Sequence, residues 1–220
     1  MSHTPHSDVV TSPPTLDFAQ ACERLQQFLQ RPERTLLGII GPPGAGKSTL
    51  AERLQALHPG QSQIVPMDGF HLANVELARL GRAGRKGAPD TFDSHGYVAM
   101  LKRLHDQGPE DTVYAPVFRR EIEEPVAGAI PIFPDTRLLI AEGNYLALAQ
   151  GGWSQVAGLL HEIWYAQVPE PLRLQRLVAR HMHFGRSRQA AEDWVQNTDE
   201  PNARLIASTL GRVQYRVLID

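Results

Sequence analysis

The run Gly41-Pro42-Pro43-Gly44-Ala45-Gly46-Lys47-Ser48-Thr49 fits the pattern G-x-x-x-x-G-K-[ST]. Those residue types at that spacing make a phosphate cradle. Glycines let the backbone curl with its N–H groups pointing inward, and a following helix adds the positive end of its dipole. Lys47 can then reach the β- and γ-phosphates of a nucleotide, and the Ser48 hydroxyl can ligate Mg²⁺. Gly41, Gly44, Ala45, Gly46, Lys47, Ser48 and Thr49 are accordingly the expected nucleotide-binding residues.

Such a loop works only between a strand and a helix, and the flanks supply both. Leu36-Leu37-Gly38-Ile39-Ile40 reads as a strand buried on both faces of a parallel sheet. Ser48 to Leu57 carries Leu50, Leu54 and Leu57 at helical spacing, and His58-Pro59-Gly60 stops it.

Two carboxylates stand at the ends of further strand patterns. Asp68 follows Gln63-Ile64-Val65-Pro66-Met67, where Pro66 points to an edge strand or a strand end. Glu142 follows Arg137-Leu138-Leu139-Ile140-Ala141. Ligands of open α/β sheets bind at that edge. A carboxylate there can accept the proton of an attacking hydroxyl, or orient Mg²⁺ directly or through water. Asp68 reads equally well as a turn or cap residue, and Glu142 also suits an N-cap.

Arg173, Arg176 and Arg180 recur at i, i+3 and i+7, opposite Leu174, Leu177 and Val178, and Arg186 and Arg188 follow in a glycine-containing break. A mobile arginine lid over a transferring phosphoryl group is the expected use, spanning about 180–190. Residues 72–93 form a long Gly/Arg/Lys-rich insertion with Arg79, Arg82, Arg85 and Lys86, beside His71, Phe92 and Tyr97. This composition suits a polar or anionic acceptor, and equally well a flexible surface loop. His181 and His183, two apart on a helix, should face different ways and do not form a metal site.

The remaining pattern supplies the scaffold. Residues 1–14 read as a disordered tail and 15–220 as one domain. Thr15 or Asp17 caps a helix to about Gln30. Ser94 caps another to about Gln107. Residues 112–118 are extended, and 125–134 form a loop or hairpin. Helices are expected over 153–160, from Pro169/Pro171 to about His181, over 189–196 and over 202–209, with strands at 162–168 and 213–219. The alternation predicts a three-layer α/β fold with a parallel sheet.

The 220 residues suffice for one core. A net charge of −2 lacks the basic footprint of a nucleic-acid binder, so no nucleic-acid partner is expected. Cys22 is the only cysteine, excluding an internal disulfide. Neither a signal-peptide core nor a membrane-spanning run occurs, and a cytoplasmic enzyme is expected. The chain lacks the N-K-x-D run of GTPases and the L-S-G-G-Q run of transporter ATPases.

The motifs also recur together in a known order. Gly41 to Thr49, Met67-Asp68-Gly69-Phe70-His71, Lys86-Gly87-Ala88-Pro89 with Phe92-Asp93, Tyr114-Ala115-Pro116-Val117-Phe118 and Glu142-Gly143-Asn144-Tyr145 resemble the succession in bacterial pantothenate kinase. The wider group includes uridine kinase and phosphoribulokinase. The chain is most similar to the "nucleoside/nucleotide kinase family", often labelled fructose transport system kinases. There Arg180-His181, Phe184-Gly185-Arg186 and Asn202-Ala203 also recur. The resemblance implies a P-loop fold with strand order 2-3-1-4-5, Asp68 as the acceptor-activating carboxylate, Glu142 as the acid after the Walker B strand, and Arg180 and Arg186 in the lid. The chain is shorter than pantothenate kinase, and Arg119-Arg120 stand where pantothenate and uridine kinases carry other polar residues.

The sequence thus predicts an ATP- and Mg²⁺-dependent transfer to a hydroxyl of a nucleoside, sugar or pantothenate-like compound. The acceptor is expected to meet Asp68, His71, Arg85, Lys86, Phe92, Arg119, Glu142 and Tyr145, within an insertion spanning about 69–134. A nucleoside monophosphate acceptor is the alternative within the class. A nucleotide-binding regulator or transport accessory with weak ATPase activity is the alternative outside it. A homodimer is left open.

Overall fold

A computed structural model describes residues 12–219. In chain order the elements are β1 (Thr15–Leu16), α1 (Phe18–Leu29), β2 (Thr35–Ile40), α2 (Lys47–Ala56), β3 (Ser62–Pro66), α3 (Asn74–Arg79), α4 (Ser94–His105), β4 (Val113–Arg119), β5 (Glu124–Ile132), β6 (Leu138–Glu142), β7 (Glu162–Gln167), α5 (Glu170–His183), α6 (Arg188–Trp194), α7 (Glu200–Ala207) and β8 (Tyr215–Leu218).

Six strands form one parallel sheet in the order β1-β8-β7-β2-β6-β3. Numbered from the strand before the phosphate loop, the last five give the predicted 2-3-1-4-5. The addition is β1, which the sequence offered only as a helix cap. Its pairing with β8 and the hydrogen bond from Arg216 N to Pro14 O (2.8 Å) also tie down the end of the expected tail. Residues 1–11 of that tail lie outside the described residues. Because β3 is the other edge, the donor missing at Pro66 costs no ladder bond.

Strand alternation splits the core in two. Leu37, Ile39, Leu138, Ile140 and Trp164 point to α1 and α2, where they meet Leu25, Phe28, Leu50 and Leu54. Leu36, Ile40, Leu139, Ala141, Ile163 and Tyr165 point the other way, to Tyr97 and Leu101 of α4, Ile206 of α7 and Trp153. This produces the three layers.

Local details depart from the sequence reading. The cap of α4 is Asp93, whose carboxylate accepts from Gly96 N (2.8 Å), so Ser94 is the first helical residue. The expected helix over 153–160 is two short 3₁₀ turns, Gly151–Gln155 and Ala157–Leu159, in a segment that glycines at 151, 152 and 158 make a poor α-helix. Between α6 and α7 the chain makes one π-helical turn, Val195–Asp199. β4 and β5 form an antiparallel hairpin outside the main sheet.

Trp164 ties the sheet to α1. It is fully buried, lies 6.1 Å from the Phe28 ring, and donates its indole N–H to Glu162 (3.0 Å). Trp164→Ala is expected to lower the unfolding free energy by about 3–5 kcal/mol, measured by urea denaturation.

Candidate active site

The loop after β2 owes its shape to the helix above it. Gly44 has φ +81°, and a Cβ there would lie 2.7 Å from Leu177 Cγ and 2.8 Å from the Arg173 carbonyl oxygen of α5. Only glycine allows both the backbone conformation and this approach. Arg173 is buried; it donates to the Pro43 carbonyl (3.3 Å) and pairs with Glu200 (2.6 Å). This corrects the lid reading of Arg173: it faces inward with Leu177 and braces the phosphate loop. Arg188 is likewise no part of the cleft, being exposed and paired with Glu192 (2.9 Å).

Below the loop, register brings three strand ends together. Glu142 is in register with Ile39 on one side and Pro66 on the other. Burial pushes the Lys47 ammonium pKa down, opposed by Glu142 and then Asp68. Burial likewise pushes the Glu142 carboxyl up, opposed first by Lys47 and also by the neighbouring Ser48 hydroxyl. A hydroxyl and a carboxylate, both hard oxygens, suit Mg²⁺, which favours one or two protein ligands plus phosphate oxygens. Among the described residues no group of three or more His, Cys, Asp or Glu side chains could hold a metal by itself.

Asp68 lies just past β3 on a 3₁₀ turn, Met67–Phe70, with its side chain 37% exposed. The turn is locked against the hairpin, since a Cβ on Gly69 would strike the Pro116 carbonyl. Opposite stands Arg120, 3.6 Å from the Asp68 carboxylate. Beside them His71 Nδ1–H donates to the Asp68 carbonyl (2.8 Å), and its ring lies 3.9 Å from that of Phe92 and 4.6 Å from that of Phe118.

The insertion is ordered. Arg85 pairs with Asp90, Arg82 donates to the Asp90 carbonyl (2.7 Å), Trp153 to that of Pro89 (3.0 Å), and the Tyr145 hydroxyl to that of Gly87. Lys86 reaches Asn74 Oδ1 (2.6 Å) and the Glu123 carbonyl at the hairpin tip. Glu123 itself has φ +52°, a left-handed conformation for a residue with a Cβ.

These parts surround a cleft of about 460 Å³. Of the expected site residues, Lys47, Ser48, Asp68, His71, Lys86, Phe92, Glu142, Arg180 and Arg186 line it. Arg85, Arg119 and Tyr145 do not. Arg85 is used up on Asp90, Arg119 is exposed outside the cleft lining, and Tyr145 is buried behind it, holding Gly87. Sequence reasoning missed Arg120, Asn74 and the Trp194–Asn202 segment. For Arg120 strand alternation gives no signal, because β4 ends at Arg119 and Arg120 opens the turn that follows.

The lid side is held by polar pairs. His181 Nε2 lies 2.7 Å from the Asp199 carboxylate, which the π-helical turn brings to the cleft. His183 faces elsewhere, against Phe184. The Arg186 guanidinium rests 4.0 Å above the Trp194 ring. Burial, then the nearby positive charge of Arg120, pushes the Arg180 pKa down.

This arrangement has known counterparts. A "putative uridine kinase" of Schizosaccharomyces pombe is 32% identical over 202 residues, covering 86% of this chain and 84% of that protein. A crystal structure of a "putative fructose transport system kinase" from Silicibacter superposes with a TM-score of 0.82 at 34% identity, over 91% of this chain and 98% of that one. The chain belongs to the P-loop kinases of the uridine kinase and pantothenate kinase group. A pantothenate kinase of Mycolicibacterium vanbaalenii is 34% identical over 134 residues, covering 57% of this chain and 42% of that enzyme. No protein-family model matches. The protein is therefore an ATP-dependent small-molecule kinase. No described helix is long and apolar enough to cross a membrane.

Lys47→Ala is expected to weaken ATP binding strongly and to abolish turnover, because alanine leaves the charge of the β- and γ-phosphates uncompensated. Calorimetric titration with ATP checks the first and ADP release the second.

Proposed function

We propose that this kinase moves the γ-phosphoryl group of ATP to a hydroxyl of a small metabolite, with Asp68 as the proton acceptor. The observation that carries the reading is the placement of Asp68 in the same cleft as Lys47, Ser48 and Glu142, on the neighbouring strand end. The acceptor oxygen forms a bond to the γ-phosphorus as the bond to the bridging β,γ-oxygen breaks. Its proton passes to the Asp68 carboxylate, and ADP leaves.

Backbone N–H groups of Gly44 to Thr49 and the Lys47 ammonium would hold the triphosphate. Ser48, and Glu142 directly or through water, would hold Mg²⁺, which when bound offsets charge on the β- and γ-phosphates. Arg180 already borders the cleft. Arg186, resting on Trp194, can swing from the ring to the equatorial oxygens as the lid closes, excluding water. His71, Phe92 and Phe118 offer the acceptor's carbon frame an apolar wall.

Asp68→Asn, nearly isosteric, should lower phosphotransfer by about 10²- to 10⁴-fold and leave ATP affinity largely intact. A panel of alcohols with mass-spectrometric readout finds the acceptor, and steady-state kinetics then compare the two proteins. Unchanged transfer in the variant would move the base elsewhere, with Glu142 or Glu123 next.

Arg186→Ala should act on kcat far more than on ATP affinity, since lid cations meet charge that develops during transfer. Comparing kcat with the Kd for ATP checks this. A large loss of affinity at unchanged kcat would contradict the lid role.

A further inference from the structure

The acceptor side of the cleft holds more positive charge than the nucleotide calls for. Lys86 is anchored only by neutral oxygens, Asn74 Oδ1 and the Glu123 carbonyl, and its ammonium lies 5.0 Å from the centre of the Phe118 ring. No ion pair to it exists among the described residues, although the Glu123 and Glu124 carboxylates lie in its field. Arg120 has one carboxylate partner, Asp68, at a long 3.6 Å. Arg180 has no ion pair among the described residues and is close enough to Arg120 for their like charges to oppose. Cations held together at the mouth of a polar cleft, with their donors incompletely used, match an anion that is not part of the protein.

Building on the proposed transfer reaction, we infer that Arg120 and Lys86 form a subsite for an anionic group carried by the acceptor. The substrate is then a small alcohol bearing a carboxylate or a phosphate ester. The geometry orders its parts. The reacting hydroxyl meets Asp68, the carbon frame lies along His71 and Phe118, and the anion reaches Arg120 and Lys86. Arg120 then serves twice. It holds the anion, and its withdrawal from Asp68 on binding leaves that carboxylate to the hydroxyl. Arg180 stays available to the transferring phosphoryl group.

The test separates this subsite from the transfer reaction. With the phosphate loop filled by Mg²⁺ and a non-hydrolysable ATP analogue, inorganic phosphate and acetate are titrated separately at constant ionic strength, and the thermal midpoint is recorded. At least one anion should raise the midpoint of the wild type, and Arg120→Gln and Lys86→Gln should each weaken that anion's binding by about tenfold or more. Affinity for the nucleotide analogue reports that each variant is folded. Absence of any rise, or an equal rise in both variants, would overturn the subsite. The preferred anion distinguishes phosphate ester from carboxylate. In turnover assays, neutral polyols and nucleosides should be at least about 10²-fold poorer in kcat/KM than their carboxylate or phosphate-ester counterparts. Neutral alcohols that work equally well would overturn the inference and leave phosphotransfer standing. If no alcohol of either kind accelerates ADP formation, phosphotransfer itself fails, while the two titrations still decide the subsite.

Discussion

A positive charge half-buried in a cleft between strand ends governs this molecule. Removing an ammonium from water is costly unless negative charge is built close to it. The parallel sheet supplies that charge by register: β6 lies between β2 and β3, so Glu142 ends beside the loop that carries Lys47, and the turn carrying Asp68 starts one strand further on. Glu142, on β6, cannot shift by a residue without turning to the other face of the sheet. Catalytic geometry and charge compensation are therefore one constraint.

Around that centre the structure treats its cations in three ways. Arg173 is spent on the scaffold, held between the Pro43 carbonyl and Glu200. Arg85 and Arg82 are spent on Asp90, giving the insertion a fixed shape without an extended core of its own. Arg120, Lys86, Arg180 and Arg186 remain directed at the cleft. A glycine-rich, basic stretch that reads as a loop from composition thus becomes a wall, because internal ion pairs and the Tyr145 and Trp153 hydrogen bonds stand in for secondary structure.

The fold was legible because its signals are local: the apolar run Leu36–Ile40, the glycine loop, and strand patterns ending in Asp68 and Glu142. The nucleotide half of the cleft follows directly from them. The acceptor half was only half visible. Arg119 and Arg120 are adjacent in sequence, and choosing between them needs the place where β4 ends: Arg119 is its last residue and Arg120 opens the turn to β5. The helical spacing of Arg173, Arg176 and Arg180 set them opposite Leu177, whereas Arg173 and Leu177 are buried together on one side of α5. It could not tell that the phosphate loop packs on that side and takes Arg173 into the core. Asp199 was invisible, because its approach to His181 depends on a π-helical turn that periodicity does not announce.

The sheet's pairing pattern also bears on how the chain is made. β1 pairs with β8, β2 with β6 and β7, and β3 with β6. Among the described residues no strand from the first half of the sequence pairs with another from that half. During synthesis the apolar run Leu36–Ile40 therefore emerges from the ribosome with no partner strand and stays so until β6 follows it out. The phosphate loop sits at the end of that orphaned strand. ATP thus cannot help the nascent chain fold early, and for much of translation the strand is a natural client for a chaperone.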